Sequence, residues 1–267
     1  MRAGLDRRPD LIGLSPQALR AEIRRSQWDG PTAGLAPGYA QANLVILPQA
    51  FAYDFLLFCQ RNPKPCPVLE VTEPGDWRLS YAATDADLRT DVSSHRIFHH
   101  GQATEEMTDI RDIWREDCVS FLLGCSFTFE AAMMRAGLPV RHVDEGHNVP
   151  MYRTTLPCRP AGGFAGAMVV SMRPVAQEDV SRVIQVTARY PLAHGAPVHV
   201  SDPAAIGILN LEHPDFGQAD TIYMGEVPVF WACGVTPQVA AQQARPPIMI
   251  THSPGHMFVT DLRDEEL

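Results

Sequence analysis

The sequence predicts an α/β protein in which a larger domain of alternating strands and helices surrounds a smaller α+β domain. Three observations support this class. In the first half of the chain, short apolar runs of strand length alternate with amphipathic segments of helix length. The same strand–helix–strand order returns near the C-terminus. Between these stretches, residues 139–203 contain several strand-like runs around one helical segment.

The individual elements follow from apolar periodicity and from proline and glycine punctuation. Ser15 is the expected N-cap, and Pro16 the first turn, of a helix over 15–27. The Gly/Pro-rich stretch 30–38 is typical either of a linker or of a ligand-facing loop, and 74–118 of loops with short strands. The other helices are expected over 49–61, 110–116, 129–136, 177–190 and 237–244, and the strands over 43–47, 68–72, 119–125, 140–143, 152–156, 167–172, 198–200, 227–232 and 248–251.

The domain organisation follows from the change of pattern in the middle of the chain. A chain of 267 residues suits one large domain or two smaller ones. We predict a discontinuous α/β domain over 1–138 and 204–267, and a smaller α+β domain over 139–203.

Composition excludes several functional classes. A formal net charge of −9 without a basic stripe argues against nucleic-acid binding. The apolar runs are too short to span a bilayer, and residues 1–16 lack the apolar core of a signal peptide. The six cysteines form no C-x-x-C pair and are expected as free thiols. We therefore expect a cytoplasmic protein with neither nucleic acid nor membrane as partner, and the sequence leaves a homo-oligomer open.

Two short segments resemble each other. Residues 124–130 and 232–238 share the ungapped pattern small–Cys–small–apolar–Thr–x–(Glu/Gln), with Cys125 and Cys233 in equivalent positions. Each segment follows a buried strand and opens a helix, which predicts two equivalent strand–turn–helix units in one sheet. The ligand crevice of an open α/β sheet lies beyond the carboxyl ends of its strands, where both turns are expected. The alternative is that buried cysteines are common and the match is chance.

The chemistry of such turns favours a ligand site. A helix start carries unpaired N–H groups and a positive dipole end, which attract anions and bias a cysteine toward thiolate. The small residues Gly124, Ser126 and Gly234 allow a ligand to approach the backbone closely. Thr128 and Thr236 are expected to cap the helices or to reach the ligand.

A polar stretch over 141–153 provides further candidates. Glu145 could act as a general base, and Asn148 and Arg153 could hold a carboxylate. The alternative is a hydrogen-bonded turn around Gly146.

Two histidine pairs are candidate metal ligands. His194 with His199, and His252 with His256, are separated by Gly and Pro, so neither pair shares a helix face. A zinc site would need a third ligand from elsewhere. We expect no metal site here and instead loop or proton-transfer roles, with His252 favoured because it directly follows a predicted strand. No phosphate loop or dinucleotide fingerprint is present, so no cofactor is expected.

Longer motifs resemble a known family. The chain is similar to the bacterial hydro-lyase family related to D-glutamate cyclase. The similarity covers nearly the whole chain. The resemblance implies a three-layer α/β domain with a smaller two-layer domain, and loss of water as D-glutamate interconverts with 5-oxo-D-proline. The motifs that carry it lie at 38–44, 55–67, 124–130, 148–154, 194–199 and 230–238.

The chain departs from the family pattern at three places. Ser93, Ser94 and His95 stand where the family commonly has a Pro and a Tyr, His147 replaces an Arg, and Gln218 replaces an Asp. If that Arg bound a substrate carboxylate, the histidine would change specificity. The resemblance assigns no catalytic residues, so the candidates rest on the residues themselves.

Together these observations predict a cofactor-independent hydro-lyase acting on a small carboxylic or amino acid. The catalytic candidates are Cys125, Cys233, Glu145 and His252. The substrate-binding candidates are Gly124, Ser126, Thr128, Asn148, Arg153, Gly234 and Thr236. One alternative is a racemase or epimerase in which the paired thiols remove and return an α-proton. Another is a non-enzymatic protein that binds an acidic metabolite.

Overall fold

The computed structural model describes residues 8–267. The helices are α1 Arg8–Leu11, α2 Pro16–Arg24, α3 Gln49–Arg61, α4 Phe127–Arg135, α5 Arg141–Glu145, α6 Val180–Thr187 and α7 Val235–Ala244. The strands are β1 Tyr39–Pro48, β2 Val68–Val71, β3 His95–His99, β4 Gln102–Met107, β5 Cys118–Gly124, β6 Met151–Pro157, β7 Ala167–Ala176, β8 His199–Val200, β9 Glu226–Ala232, β10 Met249–His252 and β11 Phe258–Arg263.

The strands form two antiparallel sheets. The first has the order β2-β5-β1-β10-β3-β4, and β11 also pairs with β1. The second has the order β6-β7-β9-β8. With helices packed on both sheets, the structure confirms the predicted α/β class. Within residues 8–267, no helix is both long enough and apolar enough to cross a membrane.

Strand β1 is the centre of the first sheet. One of its edges pairs with β5, and the other pairs with β11 near its start and with β10 near its end. Alternate side chains point to opposite faces of a strand. Val45 and Leu47 therefore pack with α3, whereas Leu44 and Ile46 pack with the irregular segment 79–92.

The second sheet packs mainly on α4 and α6. Val229 and Trp231 of β9 contact Phe129 of α4 and Val183 of α6 in one buried cluster. The domain division stays a prediction, but β9 lies in the segment assigned to the larger domain while pairing with β7 and β8.

Two structural expectations are wrong. The strand predicted over 140–143 is the helix α5, which buries Arg141 and His142 and places Arg141 against Glu226. An apolar pattern four residues long cannot distinguish one helical turn from a strand. The two similar turns also do not share a sheet, because β5 belongs to the first sheet and β9 to the second.

Most other elements were predicted to within a few residues. The helix expected over 177–190 begins as a 3₁₀ turn over Gln177–Asp179 and continues as α6. The absence of a signal-peptide core was predicted for residues 1–16, and the first seven of these lie outside the described residues.

A buried arginine links the two sheets. Arg173 on β7 is fully buried, and its guanidinium pairs with Glu130 of α4. It also donates hydrogen bonds to Ser126 Oγ at 2.9 Å and to Ser171 Oγ at 3.0 Å. Because Ser126 lies in the turn after β5, Arg173 fastens the end of the first sheet to the second.

The charges of this pair are well compensated. Burial alone would raise the pKa of Glu130, but electrostatic interactions and hydrogen bonds with His142 and Arg173 outweigh it and lower the pKa to about 2. The guanidinium carbon lies 5.1 Å from the ring centre of Phe129 and 5.3 Å from that of Trp231, so two aromatic faces also stabilise the cation.

A close backbone approach explains the glycine at the end of β5. A Cβ atom at Gly124 would lie 1.6 Å from the carbonyl oxygen of Leu192. The 3₁₀ turn Pro191–Ala193 therefore packs directly on the backbone where β5 ends. Only glycine allows this contact, and it holds His194 beside the turn at Cys125.

We expect Gly124→Ala to destabilise the protein by about 3 kcal/mol, because the new methyl group must displace the backbone of Leu192. Urea unfolding followed by circular dichroism measures this cost. Gly163→Ala is the matched control, since its Cβ would meet Ala244 at an ordinary 3.6 Å and should change stability by less than about 0.5 kcal/mol. Equal effects of the two variants would contradict the close-approach explanation.

The Glu130–Arg173 pair should make stability depend on pH. The folded-state pKa of Glu130 lies below its ordinary value of 4.5, so its contribution is complete above about pH 4.5 and is lost as pH falls toward 2. Near neutral pH we expect Glu130→Gln to cost about 3 kcal/mol. Unfolding free energies of both proteins across this pH range test the expectation. The exposed Glu178→Gln should show no such difference, and a Glu130→Gln cost independent of pH would contradict it.

Candidate active site

The two similar turns meet in one pocket where the sheets come together. Cys125 follows β5, Cys233 follows β9, and both line this pocket although their strands lie in different sheets. Two helix starts therefore face a common space. The remaining lining residues are Asn43, Arg96, Phe98, Ser126, Phe127, Asn148, Val149, Met151, His194, Phe216, Gly234, Val235, Gln238, Val239, Gln242, His252, Pro254, Gly255 and Met257.

The two turns have matching backbone geometry. The N–H of Thr128 donates to the carbonyl of Cys125 at 3.2 Å, and the N–H of Thr236 donates to that of Cys233 at 3.0 Å. The N–H groups one residue earlier, of Phe127 and Val235, donate to the sulfur atoms of Cys125 and Cys233. Sulfur is a weak acceptor, so these two N–H groups can exchange it for a ligand oxygen.

The expectation that these cysteines are biased toward thiolate is wrong. Burial raises the pKa of the Cys125 thiol to about 12 and that of the Cys233 thiol to about 11. Hydrogen bonds from the helix starts act in the opposite direction but are the smaller effect. Both cysteines are therefore neutral thiols at physiological pH.

A buried histidine occupies the floor of the pocket. This residue is His252, whose Nδ1 lies 2.8 Å from the carbonyl oxygen of Ser253 and must donate to it. The neutral ring therefore carries its proton on Nδ1. Nε2 then accepts from Gln238 Nε2 at 3.0 Å. Asn43 Oδ1 lies 3.1 Å from the same nitrogen, while Asn43 Nδ2 donates to the carbonyl of Gly124 at 2.8 Å.

Two opposing features of this environment govern proton transfer at His252. Burial lowers the pKa of His252 to about 4, so the imidazole is neutral near pH 7. When Nε2 becomes protonated it can donate to Asn43 Oδ1, whose orientation is fixed by the bond to Gly124. The neutral form is favoured by burial, and a ready acceptor awaits the protonated form. Such a group can act as a general base and return the proton afterwards.

Gly234 and Asn43 connect the second turn to the first sheet. A Cβ at Gly234 would lie 2.2 Å from Asn43 Nδ2, so this glycine allows the asparagine to lie against the start of α7. Asn43 thus touches both turns and His252.

His194 was expected in a loop or proton-transfer role and was not among the catalytic or binding candidates, yet it belongs to the pocket. It is buried, lines the pocket, and donates from Nδ1 to the carbonyl of Lys64 at 2.9 Å. Burial lowers its pKa to about 4, so it too is neutral. Its backbone is left-handed, with φ of 75°, which is unusual for a non-glycine residue. Such conformations are concentrated at functional sites.

The pocket combines apolar walls with one permanent positive charge. Phe127, Val149, Met151 and Phe216 form the apolar part of the lining. Arg96 on β3 supplies the guanidinium and pairs with the partly exposed Glu106 at 2.6 Å. A partly exposed ion pair is weak, so a substrate carboxylate can compete for this arginine.

The two predicted threonines lie outside the pocket lining. Thr236 Oγ1 accepts from the N–H of Val169 at 2.9 Å, which joins α7 to β7. Thr128 is buried, and neither threonine lines the pocket.

The predicted residues of segment 141–153 are divided. Asn148 lines the pocket. Glu145 lies outside the lining and contacts His147, with Oε2 and Nε2 2.9 Å apart. Arg153 is exposed near Asp215 at 3.7 Å and lines a separate surface depression.

The members of the histidine pairs take part in separate hydrogen bonds. His199 donates to the carbonyl of Asp202, and His256 contacts Ser93 Oγ at 3.0 Å. Across residues 8–267, no group of three possible metal ligands includes a member of either pair.

A sequence signal existed for some of the missed residues. Asn43 is a polar residue that directly precedes the apolar run 44–47, and it must be satisfied when buried. Gln238 occupies the position equivalent to Glu130 in the repeated pattern. No signal pointed to Arg96, whose place depends on the pairing of β3 with β10.

Comparison with known proteins supports a single family. A family profile described as D-glutamate cyclase matches residues 119–261, which include both turns and His252. A protein named "Putative hydro-lyase" from Stutzerimonas stutzeri is 61% identical, with 95% of this chain and 96% of that protein covered. Relatives with the same name from Geobacillus kaustophilus and Bacillus subtilis are 60% and 58% identical. Each alignment covers 95% of this chain, and 97% and 99% of the respective relatives.

Both the family profile and the near full-length relatives identify the same group of bacterial lyases, as the sequence motifs implied. The chain belongs to the bacterial hydro-lyase family described by the D-glutamate cyclase profile.

Proposed function

We propose that this lyase closes an acyclic amino dicarboxylic acid into its lactam with loss of water, interconverting D-glutamate and 5-oxo-D-proline. The observation that carries the proposal is the neutral, buried His252 facing two helix starts in one pocket. Ring closure requires a proton acceptor for the amine and donors for an oxyanion, and the pocket contains both.

Substrate binding uses the positive features of the pocket. Arg96 and one helix start can each hold a carboxylate, since a guanidinium offers paired donors and a helix start offers N–H groups with a favourable dipole. The apolar wall formed by Phe127, Val149 and Phe216 suits the methylene groups between the two carboxylates.

Proton transfer uses His252. Nε2 takes a proton from the substrate ammonium, and the free amine attacks the carbon of the distal carboxyl group to form the C–N bond. Nε2 of His252 then returns this proton to the departing carboxyl oxygen. The substrate amine loses a second proton, which also ends on that oxygen, and the oxygen leaves as water. The step needs no net proton and no oxidant.

The tetrahedral intermediate carries its negative charge on oxygen. The N–H groups of Phe127 and Val235, which point at weakly accepting sulfur atoms, are suited to receive it. Each donor of this kind typically contributes about 3–4 kcal/mol to transition-state stabilisation.

The cysteines favour this reaction over racemisation. A two-base racemase requires a thiolate on one face, whereas burial raises the pKa of both thiols far above neutrality. Cys125→Ser distinguishes the two reactions. We expect its kcat to stay within about tenfold of wild type, whereas loss of a catalytic thiolate would cost far more.

The substrate is tested by incubating the purified protein in deuterated water with D-glutamate, L-glutamate and both 5-oxoprolines, followed by NMR. We expect ring closure or opening with the D-enantiomer and no deuterium at the α-carbon. Deuterium at that carbon without ring closure would establish racemisation instead. Binding without any conversion would establish a metabolite-binding protein, and neither outcome is compatible with the proposal.

The role of His252 is tested by His252→Gln. Because the variant cannot relay the proton, we expect kcat to fall by about 10²–10⁴-fold while KM changes little. His199→Gln, which removes a histidine outside the pocket, is the control and should keep wild-type kinetics.

The lowered pKa of His252 also predicts the pH dependence of catalysis. Since His252 becomes charged only below about pH 4, kcat/KM should hold its plateau down to about pH 5. An acidic limb near pH 6.5 would contradict a buried base.

A further inference from the structure

Three metal-capable side chains converge away from the pocket lining. Helix α5 ends at Gly146, whose left-handed φ of 73° turns the chain back on itself. This places His147 Nε2 2.9 Å from Glu145 Oε2 and 3.6 Å from Asp220 Oδ1. One ligand atom from each of the three residues lies within 4.8 Å of the others.

Asp220 is the unusual member of the group. Its side chain has 0% exposure, and neither carboxyl oxygen has a hydrogen-bond partner among residues 8–267. His142 and Arg173 contribute positive potential there, but neither donates a hydrogen bond to Asp220. A buried carboxylate without a hydrogen-bond partner is costly, so the arrangement lacks a close ligand for these oxygens.

His147 alone cannot supply that ligand. Its Nε2 carries at most one proton, and the closer carboxylate, Glu145, is the one within hydrogen-bond distance. A cation between the three side chains would satisfy both carboxylates at once.

The orientation of His147 suits a metal ligand. Nδ1 lies 3.1 Å from the carbonyl oxygen of Asn148 and donates to it, which leaves the Nε2 lone pair directed at the two carboxylates. Metal-binding histidines are commonly oriented by such a bond from the other ring nitrogen. The N–H of Thr221 also donates to Glu145 Oε2 at 3.3 Å, which fixes the second ligand.

We propose that Glu145, His147 and Asp220 form a binding site for a divalent first-row transition ion, from Mn²⁺ to Zn²⁺. One imidazole and two carboxylates match the ligand preferences of these ions, whereas Mg²⁺ and Ca²⁺ favour all-oxygen sites. Two negative charges neutralise the dication.

The site has a positioning role that is independent of the proposed reaction. It connects the end of α5 to the segment that carries Asp220. Between them lies Asn148, whose N–H donates to Gln218 Oε1 at 3.0 Å and whose side chain lines the pocket. A bound cation therefore stiffens this wall of the pocket.

The test uses full-length protein treated with EDTA and dialysed. Isothermal titration calorimetry with Zn²⁺, Mn²⁺ and Mg²⁺ should show one ion per chain for the first two, and Mg²⁺ at least about tenfold weaker. Excess Zn²⁺ or Mn²⁺ should raise the Tm by about 5 °C or more. Asp220→Asn should weaken binding at least about tenfold and remove the Tm rise.

Asp220→Asn also separates a metal ligand from a structural ion-pair partner. Without metal, the variant should have a Tm no lower than wild type, because it removes an unpartnered buried charge. A lower metal-free Tm together with unchanged metal binding would overturn the proposal. So would the absence of one-to-one binding by wild type.

Two further variants complete the design. Glu145→Gln changes an exposed position and keeps the test valid if Asp220→Asn fails to fold, and it should also weaken binding. His213→Gln removes an exposed histidine outside the group and should bind like wild type. Equal loss in His213→Gln and Glu145→Gln would show non-specific surface binding and refute the site.

Discussion

The buried guanidinium of Arg173 is the interaction on which the arrangement of the site depends. It sits on the second sheet yet bonds to Ser126 in the turn after the first sheet, and to Glu130 in the helix that this turn opens. Burying a guanidinium away from water costs free energy, and this cost is offset only when its N–H donors have hydrogen-bond or ion-pair partners. The two sheets can therefore approach each other only in the relative position that completes this network. That position also brings the two helix starts face to face.

The two similar turns carry different duties. At the fifth residue after each cysteine, the first turn has Glu130 and the second has Gln238. Glu130 accepts a hydrogen bond from Arg173, whereas the side-chain amide of Gln238 contacts His252. One turn thus provides the join between the sheets, and the other provides the partner of the base. Asn43 bridges them, since it bonds to the first turn and to His252 and lies against Gly234.

Sequence patterns predicted most helices and strands because apolar residues recur with a different period in each type of element. They placed both cysteine turns at strand ends, and the structure brings these turns together. The sheet assignment failed because an apolar run does not specify its pairing partner. The thiolate expectation failed for a related reason. Local helix-start effects are visible in sequence, but the desolvation that dominates at Cys125 depends on packing from distant segments. Arg96 was missed because only tertiary pairing carries it to the pocket, and His194 was expected only in a loop or proton-transfer role.

The placement of β1 has a consequence for how the chain is made. This strand is synthesised long before β10 and β11, which complete one of its edges. Asn43 and His252 are 209 positions apart in sequence. Contacts this distant are slow to form, because long loops must close first. Until β10 and β11 are made, the nascent chain therefore carries β1 with one apolar edge unpaired, a state in which chaperone protection matters most. The active centre assembles only as the sheet closes.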